Sequence, residues 1–322
     1  MSPEGMIRVR RVFRSFLNNE NGSVTVIVAC AMVLILGIAA LVIDVGVLYY
    51  NKVLLSNAAD AAALAGVQEL PGDHGKAVGE AEAYAMSNGV EEGHVAAEVL
   101  PDGRSIRVTT SRLVPLGFAR ILGFSSAEVT ASAKASIGAT KGLTGAAPFG
   151  VVHQDFVFGE VYTLKYSPSN KSDEAGPGNF GALALGGRGA SNYLDNIMYG
   201  YQERLEVGDE VPTIIETEPG NMAGPTVTGI NSRIAGCTHE PKCTHDRFVK
   251  GCPRVLLVPV VDSLNVKGRS GVILTGFAAF FLEDVGGKGN ECEVTGRFIK
   301  WAADGDLGNI NDYGVVSCRL EG

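Results

Sequence analysis

From Val24 to Ile43 the chain runs through twenty consecutive positions without a charge (VTVIVACAMVLILGIAALVI). A helix of that length rises about 30 Å, the hydrocarbon thickness of a bilayer, so the run predicts a membrane-spanning helix. The apolar core of a cleaved secretory signal is about 7–15 residues and is followed by a small-residue cleavage site. Here the run is longer, and Asp44 follows it within a continuing helical pattern. Ile27-Val28-Ala29-Cys30 imitates a lipoprotein cleavage box, yet most of the apolar run lies after Cys30 rather than before it. Beyond the span the sequence DVGVLYYNKVLLSNAADAAALAGVQEL contains no proline, and positions 58–65 include six alanines, the strongest helix formers. One helix is therefore expected over residues 23–70, stopped by Pro71-Gly72.

The pattern then shortens. A second helix is predicted from Gly75 to Ser87, closed by Asn88-Gly89. His94–Leu100 and Arg104–Ser111 alternate as strands around Pro101-Asp102-Gly103, a hairpin signal. Pro115 opens a short amphipathic helix (PLGFARILG), and Ala127–Ile137 alternates again. Residues 71–140 thus read as a small α+β unit, and 141–147, rich in Gly, Ala and Thr, as a linker. The remainder, 148–322, is Gly-rich and strand-like, with strands expected at Val161–Tyr166, Val255–Asp262, Val272–Phe281, Glu293–Trp301 and Gly314–Leu320. Helices are expected at Ser191–Gln202 and Thr226–Ile234. Strands and helices do not alternate regularly, which favours an α+β chain ending in a β-rich barrel or sandwich over a doubly wound sheet.

Charge adds direction to this picture. The 322 residues carry 27 Lys and Arg against 35 Asp and Glu, a net −8, and no basic cluster of the kind that neutralises nucleic-acid phosphates. The one basic concentration, Arg8, Arg10, Arg11 and Arg14, lies in the segment 1–22 before the span. No comparable cluster follows Tyr50, so the positive-inside rule orients the N-terminus to the cytoplasm and exports the bulk of the chain.

Gly22-Ser23, the apolar span, Ile43-Asp44-Val45-Gly46, Leu48-Tyr49 and Asn57-Ala58-Ala59-Asp60-Ala61-Ala62-Ala63-Leu64-Ala65-Gly66, in this order and spacing, resemble the TadE/TadG-like proteins of tight-adherence (Flp) pilus assembly. The resemblance covers residues 20–70. It implies a membrane-anchored structural component of pilus biogenesis or surface attachment, with other pilus-assembly or pilin-like subunits as partners. Two departures matter. Processed prepilin-like relatives have Glu five residues after the glycine, where this chain has Ile27, so retention of the N-terminus is expected. The Asp-x-Ser-x-Ser run of a von Willebrand A metal site, carried by many longer relatives, does not occur.

Little in the chain invites catalysis. Gly220-Asn221-Met222-Ala223-Gly224-Pro225-Thr226 lacks a phosphate-loop lysine, and His153 near Asp155 has no nucleophile motif beside it. The expected catalytic and cofactor residues are therefore none. Of the six cysteines, Cys237, Cys243, Cys252, Cys292 and Cys318 fall in the exported part, where oxidation into one or two disulfides is the default. Cys292 and Cys318, bordering strands read as one antiparallel pair, are the first choice. An alternative uses Cys237, His239, Cys243, His245 and Cys252 as soft ligands to zinc, although their spacing fits no zinc-finger pattern. The alanine stripe leaves two roles open, a stalk folding back on its own domain or a surface for another subunit. Ala58, Ala61, Ala62 and Ala65 are the candidate contacts for the latter. The expected function is a single-pass scaffold or adhesion module, its surface ligand unknown. The rival reading is an exported, membrane-tethered enzyme that uses zinc.

Overall fold

The computed structural model describes residues 20–168, 176–287 and 291–321; the arginine cluster at the N-terminus lies outside them. Helix α1 spans Glu20–Val67 without a break, 48 residues and so about 72 Å by its rise. Its most apolar window buries nothing against the rest of the chain. Its last turns do the opposite. Leu55, Ala58, Ala59, Ala62, Ala63 and Val67 are buried with Ala77, Ala81 and Ala85 of α2 (His74–Ser87) and with a sheet behind them. That spacing of three and four residues marks one face of the helix. Asp73 caps α2, its Oδ1 accepting the Gly75 and Lys76 amides at 2.7 and 3.2 Å.

The supporting strands are β1 (Val95–Val99), β2 (Ser105–Pro115) and β3 (Ser126–Leu143), all antiparallel neighbours. Alternate residues of the sheet, Ile106 and Val108 on β2 and Ala131, Ala133 and Ala135 on β3, meet the alanine face. Small side chains on both sides let the elements approach closely. A Cβ on Gly66 would stand 2.7 Å from the Ala77 carbonyl oxygen and 2.8 Å from Ala81 Cβ and Ile106 Cδ1. The surface expected for a second subunit is thus in part occupied by the chain itself: Ala58 and Ala62 are in this core, while Ala61 and Ala65 are half-buried on its flank. The segment PLGFARILG forms only a single 3₁₀ turn, Ala119–Leu122, closed by Gly123 at φ +95°.

The C-terminal part supplies β4 (Val151–Val152), β5 (Val161–Lys165), β6 (Leu183–Ala184), helix α3 (Ala190–Tyr199), β7 (Leu205–Glu206), β8 (Ile214–Thr217) and helix α4 (Ala223–Ala235). After these come β9 (Val255–Val261), β10 (Gly271–Gly286), β11 (Glu293–Ile299), β12 (Trp301–Ala302), β13 (Gly305–Leu307) and β14 (Val315–Glu321). Among the described residues they make two sheets. One has the order β4-β9-β10-β11-β5, with β8 on β10 and β6 on β8. Its centre is buried on both faces: Phe277, Ala279 and Phe281 of β10 point into one core, and Ala278, Phe280 and Leu282 into the other. This two-sided burial accounts for the continuous apolar run at that strand. Helices α3 and α4 cover the second face through Tyr193, Ile197 and Ile230.

The other sheet joins the two parts of the chain. β14 returns to pair with β3, from Val316 opposite Ala139 to Glu321 opposite Lys134, and the sheet reads β1-β2-β3-β14-β12 with β7 and β13 also on β3. The expected linker at 141–147 is therefore no linker. Its first residues are the end of β3, and Leu143, Ala146 and Ala147 are buried at 0–1% exposure in the C-terminal cores. Small residues there serve close packing rather than flexibility.

Candidate functional site: a membrane-proximal turn and a sulfur cluster

Asp44 follows the uncharged run directly and is buried, at 5% exposure. Its carboxylate grips the loop between β2 and β3. Oδ1 accepts the Gly117 amide at 2.9 Å, and Oδ2 accepts the Phe118 and Ala119 amides at 3.0 and 2.6 Å. Three successive N–H groups at the start of a turn have no partners within it, and a carboxylate satisfies them with charge-assisted bonds. The loop held in this way is apolar and outward-facing. Ile121 is 85% exposed, Leu122 76%, Phe124 64% and nearby Leu113 62%. Tyr49 and Tyr50, about one and a half turns further along α1, are exposed as well. The sequence pattern exhibited Asp44 without revealing this role, because its partners are backbone groups more than seventy residues away.

The second constellation lies in residues 236–254, between α4 and β9. Apart from an isolated bridge pairing Thr244 with Arg247, this segment has no helix or strand. All of it is described, and its only buried residues are Cys237, Cys243 and Cys252. Their sulfurs converge with one imidazole. His239 Nδ1 lies 3.6 Å from Cys237 Sγ and 3.5 Å from Cys243 Sγ, and Cys252 Sγ lies 3.6 Å from Cys237 Sγ. The four donor atoms all fall within 4.8 Å of one another. The hydrogen bond with His239 pulls the Cys237 thiol down from the usual range, helped by amides of Cys243 and His239, whereas burial pushes Cys252 up. Arg254 buttresses the loop, donating from Nη1 to the Cys243 carbonyl at 3.0 Å while its guanidinium lies 4.5 Å from the Phe281 ring centre. The donor set is suited to one soft divalent ion.

His245, grouped with these residues on sequence grounds, is elsewhere. Its Nδ1 faces Glu283 Oε1 at 3.9 Å, and Arg297 holds the same oxygen at 2.7 Å. The cysteine pair of first choice is also not brought together. Cys292 precedes β11, which pairs with β10 and β5, whereas Cys318 sits on β14 opposite Ile137 of β3, in the other sheet. None of the six cysteines is joined in a disulfide in the structure. Burial raises Cys292, and it raises Cys318 to about 11, so neither is a ready thiolate. The strand adjacency that suggested the pair was wrong because β14 crosses back to the N-terminal sheet.

Comparison with known families gives one match. Residues 22–69 match the Tad family, described as "Putative Flp pilus-assembly TadE/G-like". No curated protein and no solved structure matches the chain. The matched segment is almost coextensive with α1 and includes both Asp44 and the alanine face, so the helix that the sequence pattern singled out carries a TadE/G-like signature of Flp pilus assembly.

Proposed function

We propose that the chain is a single-pass envelope protein, N-terminus in the cytoplasm and bulk exported, acting as a structural component of Flp-type pilus assembly or surface attachment. The observation that carries this reading is the continuity of α1. One unbroken helix has an outward apolar half with nothing of its own chain against it and a second half built into the core of the folded part. Force or position at the membrane is thereby transmitted to the β-rich part without a hinge, as a scaffold or presenting module requires. The turn held by Asp44 supports the same reading. Its exposed Ile121, Leu122 and Phe124 stand beside the end of the span, at the depth where interfacial tyrosines such as Tyr49 and Tyr50 settle, and there they rest in the outer interface of the bilayer. Partners are other membrane-embedded pilus-assembly or pilin-like subunits. The family match favours a structural role over an enzymatic one.

The test is topological. A protease site inserted in the exposed turn at Pro101-Gly103 should be cut by protease added outside spheroplasts, leaving a small membrane-bound fragment. Cutting only after lysis would reverse the orientation. Leu36→Arg should lower the inserted fraction in the same assay, since Arg at the middle of a span costs about 2.5–3.5 kcal/mol on insertion scales.

A further inference from the structure

We propose that Cys237, His239, Cys243 and Cys252 form a structural zinc site that holds the segment 236–254 in place. Tetrahedral Zn²⁺, with Zn–S about 2.3 Å and Zn–N about 2.0–2.1 Å, sets sulfur atoms about 3.8 Å apart and sulfur and nitrogen about 3.5 Å apart. The measured separations are 3.6 Å between Cys252 and Cys237 sulfurs and 3.5–3.6 Å from His239 Nδ1 to the sulfurs of Cys243 and Cys237. A disulfide would need sulfurs about 2.05 Å apart. It would also leave a third buried thiol and an inward-facing imidazole nitrogen without a use, because three sulfurs and one nitrogen share a single focus.

The surroundings fit an ion more closely than a cystine. Amides of His239 and Cys243 point at the Cys237 sulfur and that of Arg254 at the Cys252 sulfur, the outer bonds that stabilise thiolate ligands. Three thiolates and one Zn²⁺ leave a net −1, and the Arg254 guanidinium bound to the Cys243 carbonyl lies alongside to balance it. The segment has no other buried side chain, so without a cross-link little would order it. Four protein donors complete the tetrahedron, leaving no open position of the kind catalytic zinc keeps, so the site is structural. Its consequence reaches the anchor. Lys250, two residues before Cys252, donates to Gln68 Oε1 just past the end of α1, so the metal-pinned loop locks the C-terminal part onto the membrane helix.

The experiment uses the full chain purified in detergent under nitrogen without added reductant, with metal measured by elemental analysis. About one zinc per chain is expected, falling to below about a tenth in Cys243→Ser and in His239→Ala, while His245→Ala keeps its zinc. Because the cysteine variants could misfold, the wild-type chain is also stripped and titrated with Co²⁺ alone. The intense visible absorption and sulfur-to-metal charge transfer of tetrahedral thiolate-bound cobalt should appear and saturate at one equivalent. Three results would each overturn the proposal: a metal-free folded chain with Cys237, Cys243 or Cys252 in a disulfide by non-reducing mass spectrometry, zinc retained without Cys243, or octahedral cobalt spectra.

Discussion

The two halves of α1 are equally helical, yet they are built from different side chains for different surroundings. In the first, Leu34, Ile35, Leu36 and Ile38 are each more than half exposed, large and apolar on every side. In the second, Leu55 and Val67 bracket a buried face of alanines that meets alanines on α2 and β3. Each alanine methyl contributes only about 0.8 kcal/mol by burial, so the second half gains little from any one contact. What it gains is proximity, with backbones close enough that Gly66 admits no Cβ. Bulk serves where the neighbour is fluid lipid that conforms to any shape. Smallness serves where the neighbour is a fixed surface.

The largest way to break this contrast is to put bulk into the second half. Ala62 is fully buried, and Leu has nearly the helix propensity of Ala, so Ala62→Leu isolates the packing effect. It should destabilise the folded part by about 1–3 kcal/mol, the usual cost of overpacking a filled core, and separate α1 from α2 and the sheet. Thermal unfolding of the detergent-purified chain measures this, and an unchanged Tm would show that the alanine face tolerates bulk. The face also determines which fragments fold. A chain beginning at residue 73 lacks Leu55 through Leu70 of this core, so the intact chain is the proper object for every assay.

That outcome bears on what could be read from residues alone. The long helix, the hairpin and the principal strands were legible because each rests on local periodicity or turn chemistry. The alanine stripe was legible as a packing surface, with its own domain and another subunit both open as occupants, since both want the same small residues. The return of β14 to β3 joins positions almost two hundred residues apart, and no local signal encodes such a pairing. From it follows the misplaced Cys292–Cys318 pair, while the linker reading at 141–147 missed the pairing of the end of β3 with β7 and β13. The sulfur cluster was half legible. Its residue types were evident, but only the fold selects His239 over His245.

A smaller and more local effect is expected where the two halves meet. Asp44→Ala removes the acceptor of the Gly117, Phe118 and Ala119 amides, and losing charge-assisted hydrogen bonds costs about 1.5–3 kcal/mol, reduced where water reaches the freed amides. The loss should be confined to the turn, because the alanine core lies further along the helix. Hydrogen exchange at residues 117–124 should quicken while α2 and β3 keep their protection. Asp44→Asn retains one carbonyl acceptor and should fall between. Equal exchange in wild type and Asp44→Ala would mean that the carboxylate does not hold the turn.

The smallest effect on stability sharpens the comparison most. Ala61 lies on the side of α1 turned away from Ala59, Ala62 and Ala63, and it is half-buried, where Ala62 is fully enclosed. Ala61→Leu adds the same bulk one position away, to a surface with open space beside it, so folding stability should change by no more than about 0.5 kcal/mol. If another subunit packs on this side, co-purification of membrane partners should nevertheless fail, since close helix contact rejects an added side chain whether the partner is covalently connected or not. Stable protein with lost co-purification would assign the outward alanines to a partner and the inward ones to the fold, two functions on one helix separated by a rotation of about 100°. Stable protein with partners retained would leave α1 in contact with its own domain and with lipid alone.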